Sequence, residues 1–506
     1  MKNQLRLKNF VLASMLANGV FAGLAQAAQP VYSVRFYAPG MKASPSLRFS
    51  DANGLGGPTL SFPATTEGSS SAPQIFTAKN MSVAPVVFGA TPFTVSAPYS
   101  LSSTTCTGTL APGDTCTMTI VFSPAAYGTG TGAYLAINTT SAAVAAPTFS
   151  GKVNSLPYLD VVANGGTTNA HAFFKKSDGR WLAAGNNTFG AIGGGSYLTM
   201  PAGNPAIFGA TKVVTGVYHS LALMPDGTVK GTGGNWAGQI GFTDHVDRAT
   251  WTTIPGITGA KNVVASFYAS YIQMADNSWM SAGQNGYGEL GLGDTAVHAA
   301  FTTIPGTVGS LAFLVGAQQA FLKDSTGNWF VTGMNDRGQL GLGDLLKRMS
   351  FTAMPGVPAG ATLYAGWYTT FAKDSSNNWL VTGDNSSRLY GNASASTTSL
   401  TALPGLNGLT NMTLAIDGSS AFAKLATGDW NAVGDNGTGQ LGLGDKTYRT
   451  AYTLSSAMTG SSVVASSGTA TFIIKGGVLY AAGSNTNNAL GLPVAGDYPT
   501  FTPVTP

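Results

Sequence analysis

The sequence predicts an all-β protein in which a β-sandwich precedes a ring of repeated, blade-sized units. Three observations predict this fold class. Only 9% of the 506 residues are charged and 67 are glycine, a composition typical of short strands joined by tight turns. Short alternating runs separated by turn-forming residues occupy residues 30–154. From there to the end of the chain, one glycine-rich stretch recurs seven times at a period close to 50 residues.

Residues 1–27 are predicted to be a secretory signal peptide. Three basic residues, Lys2, Arg6 and Lys8, precede an apolar run, and Ala25-Gln26-Ala27 supplies a small-x-small cleavage site. The alternative is an N-terminal membrane anchor, which needs about 20 apolar residues. The run over residues 10–25 is shorter than that and is interrupted by polar residues. We expect an exported protein that is periplasmic, at the cell surface or extracellular, with no transmembrane segment after signal removal.

The charge balance limits the classes of partner. Removal of the signal lowers the formal net charge from +4 to +1. A near-neutral chain is a poor match for nucleic acid or for an anionic membrane surface. We therefore expect no nucleic-acid partner. The expected partner is an unknown protein or glycan, and the expected state is a monomer.

Residues 28–154 are predicted to form the sandwich. Runs such as PQIFTAKN and CTMTIVFSP alternate in the manner of half-buried strands. Cys106 and Cys116, the two cysteines of the chain, flank a Pro-Gly-Asp turn, so export favours a disulfide between them. The stretch over residues 106–124 resembles the immunoglobulin-like modules of exported bacterial proteins, of the ASPM/SPD-2/Hydin and choice-of-anchor D kind. That resemblance implies a spacer or adhesion module without catalytic residues.

Residues 155–506 are predicted to be built from seven repeats. The first glycines of the copies are 48, 50, 50, 50, 51 and 49 residues apart, and an asparagine follows each glycine by two positions. Fifty residues hold four short strands and their turns, which is the size of one propeller blade. The glycines are Gly185, Gly233, Gly283, Gly333, Gly383, Gly434 and Gly483, and the asparagines are Asn187, Asn235, Asn285, Asn335, Asn385, Asn436 and Asn485.

One copy contains GTGQLG, the glycine spacing of a dinucleotide-binding loop. A nucleotide loop occurs once and opens a helix, whereas this stretch recurs seven times with no helix behind it. The glycines are therefore predicted to be turn residues. A large apolar residue, tryptophan in five copies, stands four residues before each first glycine and is predicted to pack between blades. The copies GQNGYGELGLGD, GMNDRGQLGLGD and GDNGTGQLGLGD resemble the RCC1 repeat, named for regulator of chromosome condensation 1, and imply a closed seven-bladed β-propeller.

Four copies place an acid and a base four residues apart after the glycine-rich stretch. Such a pair in a loop is either a ligand site or a structural staple, and its recurrence favours the staple. The pairs are Asp244/Arg248, Asp294/His298, Asp344/Arg348 and Asp445/Arg449.

Candidate contact residues lie in the loop before the hairpin that carries the tryptophan. Equivalent loops of a propeller lie on one face, and aromatic residues that the repeat does not require are candidates for partner contact. Inward packing between blades is the alternative for the same side chains. The candidates are His171, Tyr218, His219, Phe267, Tyr268, Trp367 and Tyr368.

These features predict an exported bacterial binding protein, non-catalytic, which presents a propeller face to a protein or glycan partner in adhesion or surface interaction. One alternative is a secreted protein inhibitor, because RCC1-like propellers include a secreted bacterial inhibitor of β-lactamases whose loop aromatics hold its partner. A second alternative is a propeller hydrolase or lyase. The sequence contains no H-E-x-x-H or G-x-S-x-G motif. His171 and His219 lack nearby carboxylate ligands, so we expect no metal, no cofactor and no catalytic residue.

Overall fold

The computed structural model describes residues 47–52, 54, 59–124, 133–139, 148–164, 169–194, 198–203, 205–391, 395–415 and 417–504. The predicted signal peptide lies outside these residues and stays a prediction. The described residues form two compact units. The first comprises residues 47–63, 70–123 and the described part of 129–152, and the second comprises 64–69, 124 and 153–504. The predicted boundaries at 27 and 154 stay predictions.

The first unit contains two β-sheets whose aromatic side chains pack together. One sheet has the order β1-β3-β7-β5 and the other β2-β9-β8-β4-β6. Phe62 of the second sheet lies 5.3 Å from Phe76 and 5.0 Å from Tyr99 of the first, measured between ring centroids. The strands are β1 Leu47–Ser50, β2 Thr59–Thr66, β3 Gln74–Asn80, β4 Val86–Val95, β5 Tyr99–Thr104, β6 Thr109–Leu110, β7 Thr115–Phe122, β8 Ala133–Thr139 and β9 Thr148–Asn154.

This packing forms a two-sheet sandwich, and the predicted immunoglobulin-like kinship stays a prediction. Cys106 and Cys116 are joined by a disulfide with 5.0 Å between their Cα atoms. The bond ties the segment before β6 to β7, so the predicted pairing is present in the structure.

The second unit contains seven antiparallel four-stranded sheets, each built from consecutive strands. We call them blades 1 to 7. Their strands are Tyr158–Asn164, His171–Lys176, Trp181–Gly185 and Leu198–Gly203 (β10–β13, blade 1); Lys212–Thr215, His219–Leu223, Val229–Gly233 and Arg248–Thr253 (β14–β17, blade 2); Asn262–Ala265, Ala269–Gln273, Trp279–Gly283 and His298–Thr303 (β18–β21, blade 3); Ala312–Val315, Gln319–Lys323, Trp329–Gly333 and Arg348–Ala353 (β22–β25, blade 4); Thr362–Ala365, Thr369–Lys373, Trp379–Gly383 and Thr397–Ala402 (β26–β29, blade 5); Asn411–Leu414, Ser420–Lys424, Trp430–Gly434 and Arg449–Ser455 (β30–β33, blade 6); Ser461–Ser466, Ala470–Lys475, Val478–Ser484 and Asp497–Pro503 (β34–β37, blade 7). Short 3₁₀ turns cover Pro205–Ile207, Pro404–Leu406, Ser456–Met458 and Thr486–Asn488.

The seven blades close into a ring around a common channel. The first strands of all seven blades line one cavity of about 330 Å³, with mostly Val, Ala and Leu side chains. Blade 1 packs against blade 7 through one buried cluster in which Phe174 and Phe472 lie 5.3 Å apart. The backbone amide of Tyr158 also donates to the carbonyl of Gly477. Side-chain packing between complete blades therefore closes the ring.

The repeated glycine holds the loop between the first and second strands of its own blade. Gly233 and Gly283 have φ values of 101° and 118°, a backbone region that favours glycine. A Cβ on Gly233 would collide with the carbonyl oxygen of Tyr218. The next amide, that of Gly234, donates to the same carbonyl at 2.8 Å. All seven copies repeat this close approach, so the glycine fixes the loop that carries the candidate residues.

The repeated asparagine clamps the glycine-rich loop. Asn335 accepts from the amide of Leu340 through Oδ1 at 2.9 Å and donates through Nδ2 to the carbonyl of Asp344 at 3.0 Å. The side chain is buried, and its two bonds satisfy backbone groups that no strand partner reaches. Equivalent Oδ1 bonds occur in every copy.

The large apolar residue before each glycine packs between blades, as predicted. Trp379 of blade 5 lies in a buried cluster with Met412 and Ala423 of blade 6. Its indole nitrogen donates to the carbonyl of Leu409 at 3.0 Å, on the chain that enters blade 6. The predicted staples are also present: Arg348 Nη2 lies 2.7 Å from Asp344 Oδ2, and His298 Nε2 lies 3.1 Å from Asp294 Oδ2. Copies 1, 5 and 7, which depart from the repeat pattern, still form four-stranded blades.

Candidate functional site

One end of the ring carries two kinds of loop from each blade. In a four-stranded antiparallel blade, the loop between strands one and two and the loop between strands three and four lie at the same end. We call them the inner loop and the outer loop, because the first strand borders the channel. Inner loops of blades 2, 3 and 5 carry the aromatic candidates, and outer loops add further aromatic side chains. We call this end of the ring the aromatic face.

The outer and inner loops of blades 1 to 3 form a continuous aromatic array. Tyr218 lies 4.9 Å from Phe189, 5.1 Å from Trp236 and 5.8 Å from Tyr268, measured between ring centroids. Trp236 also lies 5.4 Å from Phe189 and 6.2 Å from Tyr268. Trp236 is 42% exposed, and the two tyrosines and Phe189 are half-buried. Rings at these spacings attract one another through dispersion and quadrupole interactions.

The array continues across the channel end to blade 5. Phe267 lies 6.1 Å from Tyr268 and 5.0 Å from Trp367. Trp367 stacks on Tyr368 at 5.0 Å with 12° between their planes. The guanidinium of Arg337, from the outer loop of blade 4, lies 5.8 Å from the Tyr368 ring, within the range of a cation–π interaction. The sequence-predicted tyrosines and Trp367 are thus brought together on one surface.

Phe267 lies in the interior of that array. Together with Val217 and Ala317 it forms a buried cluster over the channel, against which the tyrosines and Trp367 pack. Backbone bonds join the inner loops, from the Val217 amide to the Phe267 carbonyl at 3.2 Å and from the Phe267 amide to the Ala317 carbonyl at 3.4 Å. Phe267 is 7% exposed. Its prediction as a contact residue is therefore corrected: it supports the face from beneath.

The two histidines also lie beneath the face. His219 and His171 are 0% and 1% exposed, so neither side chain reaches a partner, and their prediction as contact residues is corrected. Burial lowers the pKa of His171 to about 4 and that of His219 to about 3, which keeps both neutral at physiological pH. His219 Nε2 lies 2.8 Å from Ser270 Oγ. This Ser–His pair resembles half of a catalytic relay, but Ser270 is 0% exposed and closed to substrate.

The array contains groups with perturbed titration. Burial raises the pKa of Tyr268, and the neighbouring hydroxyl of Tyr218 adds to the shift. Burial likewise raises the pKa of Tyr368. These phenols stay neutral at physiological pH. They therefore present apolar rings with one polar tip each, the character that interface tyrosines favour.

One buried acid lies under the outer loop of blade 3. Glu289 is 3% exposed, and its Oε2 accepts from the amide of Tyr287 at 2.8 Å. Burial raises its pKa to about 7. Blades 2, 4 and 6 have glutamine at the equivalent position, where Oε1 accepts from the same kind of amide; these are Gln239, Gln339 and Gln440.

The outer-loop contribution to the face was not predicted from the sequence. Phe189, Trp236 and Arg337 follow the repeat glycine by three or four positions, where most other copies have small or polar residues and the third copy has Tyr287. A side-by-side reading of that position across the copies could have found them. Among the residues that the structure describes, no three His, Cys, Asp or Glu side chains converge as a metal site. Within the same described ranges, no helix is long and apolar enough to cross a bilayer.

Solved structures similar to this chain include RCC1-like propellers. Human WBSCR16 matches with a TM-score of 0.53 and 17% identity, over 62% of this chain and 85% of that chain. Yeast RCC1 (Prp20), bound to Kap60, matches with a TM-score of 0.56 and 17% identity, over 64% and 83%. Prp20p from Saccharomyces cerevisiae matches with a TM-score of 0.54 and 14% identity, over 62% and 80%. The ring therefore has the RCC1-like β-propeller fold, and identities this low show the fold alone.

The sequence comparison covers a smaller part of the chain. Over 115 residues the chain is 32% identical to the probable E3 ubiquitin-protein ligase HERC3 of Homo sapiens. That match covers 22% of this chain and 11% of the human protein, so the chain spans only a small part of that relative's length. No protein-family model matches the chain.

Proposed function

We propose that this protein is an exported, non-catalytic binding protein that holds a protein partner on the aromatic face of its propeller. The observation that carries the proposal is the continuous array of Phe189, Tyr218, Trp236, Tyr268, Trp367 and Tyr368 around the buried Phe267. Export rests on the signal-peptide pattern of residues 1–27. The sandwich, as an immunoglobulin-like module, acts as a spacer in this proposal.

The composition of the face supports binding. Interfaces are enriched in Tyr, Trp and Arg, and a few such residues supply most of the binding energy. Here Trp236 is exposed next to half-buried tyrosines that are held by their neighbours. Pinned aromatic side chains lose little conformational entropy when a partner binds. The repeat glycines and the bonds between inner loops supply that rigidity.

The arrangement of the rings favours a protein over a glycan. A sugar stacks its apolar side on an open aromatic ring. Trp367 and Tyr368 stack on each other with 12° between their planes, and so do Tyr218 and Tyr268. Each stacked pair occupies ring faces that a sugar would need. Clustering into one patch is what a protein interface requires, so adhesion or inhibition through a protein partner is preferred to glycan binding.

The test is capture followed by reconstitution. The purified protein serves as bait in an extract of the producing organism and its surroundings, and the captured protein is then purified and its Kd measured. The double variant Trp236→Ala/Tyr368→Ala removes one exposed ring and one half-buried ring. We expect it to raise Kd by at least about tenfold, since each hot-spot side chain contributes more than about 1 kcal/mol.

The matched control is Phe208→Ala. Phe208 is 58% exposed and lies in a loop at the opposite end of the ring, between β13 and β14. This variant shows whether removing any exposed aromatic side chain weakens binding, or only removing one on the aromatic face. If both variants bind the partner as the parent does, the face is not the site. If a glycan array gives a specific signal and no protein binds, the partner class is wrong. A captured hydrolase whose activity falls on binding would favour the inhibitor alternative.

A further inference from the structure

The channel of the ring is a cavity with apolar walls that solvent reaches. Val214 and Val264 line it and are half-buried, whereas their strand neighbours Val213 and Val263 are buried between blades. Side chains of a strand alternate between its two sides in this way, so an apolar row inside the channel stays accessible. Concave apolar surface of this kind is typical of small-molecule pockets, and the volume of about 330 Å³ lies at the lower end of their range.

The channel is covered at one end and accessible at the other. At the aromatic face, Val217, Phe267 and Ala317 form the buried cluster that lies over it, and backbone bonds join their loops. A ligand therefore enters from the opposite end, where the first strands begin. At that end Thr362 and Asn411, which begin the first strands of blades 5 and 6, are exposed.

A cation lies at this entrance. Lys212 begins the first strand of blade 2, two positions before Val214, so its side chain lies on the channel side of the strand. Its Nζ donates to Asn262 Oδ1 at 2.8 Å, and Asn262 likewise stands two positions before Val264. An ammonium has three donors, yet within the described ranges this is the one hydrogen bond that Nζ makes, and no carboxylate is in ion-pair contact with it. Asp160 of blade 1 attracts it from beyond contact distance.

The entrance and the walls favour the two ends of an amphiphile. Burial lowers the pKa of Lys212, because the ammonium has lost part of its hydration. A desolvated cation with unused donors gains from an anion that reaches it. The apolar row inside the channel gains from a hydrocarbon chain. Lys212 and Thr215, which also lines the cavity, are three strand residues apart and thus separated by about 10 Å, the reach of a medium-length alkyl chain.

We infer that the channel binds a medium-chain alkyl carboxylate, with its chain along the first strands and its carboxylate at Lys212. The half-buried valines contact the chain, and the free donors of Lys212 bind the carboxylate oxygens. The cluster below the aromatic face limits how far the chain can extend. This site is at the opposite end of the ring from the aromatic face and takes a different ligand, so it does not depend on the partner proposed above.

The test uses sodium octanoate as probe and 1-octanol as its uncharged counterpart, at constant ionic strength. Calorimetric titration measures Kd for the parent, for Lys212→Gln and for the matched control Lys230→Gln. Lys230 lies on the third strand of blade 2, away from the channel, and its Nζ donates to the carbonyl of Ala206 at 2.7 Å. We expect Lys212→Gln to weaken octanoate binding about tenfold and to leave octanol binding unchanged. Lys230→Gln should change neither, and Asp160→Asn, which removes a like charge, should strengthen octanoate binding.

A second readout requires no change at Lys212. In parent protein with ¹³C-labelled valine methyl groups, octanoate should shift the signals of Val214 and Val264. It should leave the signal of Val331, which is buried between blades 4 and 5, in place. The inference is overturned if the signals of the two channel valines do not move. It is also overturned if Lys212→Gln weakens octanoate and octanol equally, or if the two lysine variants weaken octanoate equally.

Discussion

Replacing Glu289 by glutamine should stabilise the propeller at alkaline pH and not at acid pH. Glu289 is buried, with its pKa raised from 4.5 to about 7. Below pH 4.5 the carboxyl is protonated in both folded and unfolded chains and contributes no difference. As the pH rises through 4.5, the Glu289 carboxyl ionises in the unfolded chain but stays protonated in the folded chain. The free energy of unfolding therefore falls with pH until the carboxyl also ionises in the folded chain, near pH 7. The accumulated cost is about 3 kcal/mol, from about 1.4 kcal/mol per pKa unit.

The assay is urea denaturation followed by tryptophan fluorescence between pH 4 and pH 9. All eight tryptophans lie in the second unit, so the signal reports the ring alone. Glutamine keeps the acceptor for the Tyr287 amide, as its counterparts do in blades 2, 4 and 6. If the side-chain nitrogen of the new glutamine finds no acceptor, the stabilisation by Glu289→Gln is smaller by the same amount at every pH. The stabilisation by Glu289→Gln should therefore grow by about 3 kcal/mol from pH 4 to pH 9.

The reciprocal variant is the control for this reasoning. Gln339→Glu places a carboxyl at the equivalent buried position of blade 4, next to Asp336. It should destabilise the ring increasingly as pH rises over the same range. A stability difference between Glu289→Gln and the parent that does not change with pH would refute the argument.

Two further predictions concern the scaffold. Asn335→Ala removes the clamp on the Leu340 amide and the Asp344 carbonyl and should lower the free energy of unfolding by about 1–3 kcal/mol. Asp344→Ala breaks an exposed staple and should cost about 0–1 kcal/mol from the ion pair; equal costs in urea titrations would show that the clamp is not the dominant bond. Cys106→Ser with Cys116→Ser should destabilise the sandwich by up to about 3 kcal/mol and leave the tryptophan-monitored transition unchanged. The destabilisation of the sandwich is measured by far-UV circular dichroism. A sandwich transition that is the same in the variant and the parent would show that the disulfide does not stabilise the sandwich.

The repeat made the ring predictable from the sequence. Three repeated residues build the blades themselves. They are the glycine at positions such as 233 and 283, the asparagine two positions after it and the tryptophan four positions before it. Each has the same backbone and packing environment in every copy, so periodicity reveals it. The Asp344/Arg348 pair was predicted as a staple for the same reason, and the structure confirms it.

The face was less predictable because it depends on what differs between blades. The sequence placed Tyr218, Tyr268 and Trp367 in equivalent loops, and the structure brings them together. The sequence could not show that the side chains of Phe267 and His219 are buried beneath those loops. A tight loop has no regular alternation from which buried and exposed side chains could be told apart. Trp236 joins the array from an outer loop 18 residues after Tyr218, and only the blade topology brings the two rings together.

Site-specific photo-cross-linking tests the central claim, that the aromatic face holds a protein, most directly. A benzophenone amino acid is introduced at position 236, 368 or 208 of the protein, which is expressed in the organism that naturally produces it. We expect one cross-linked protein, the same from positions 236 and 368, and no such adduct from position 208. Cross-linking of that protein from position 208 alone, or from all three positions equally, would contradict a binding face at the aromatic end of the ring.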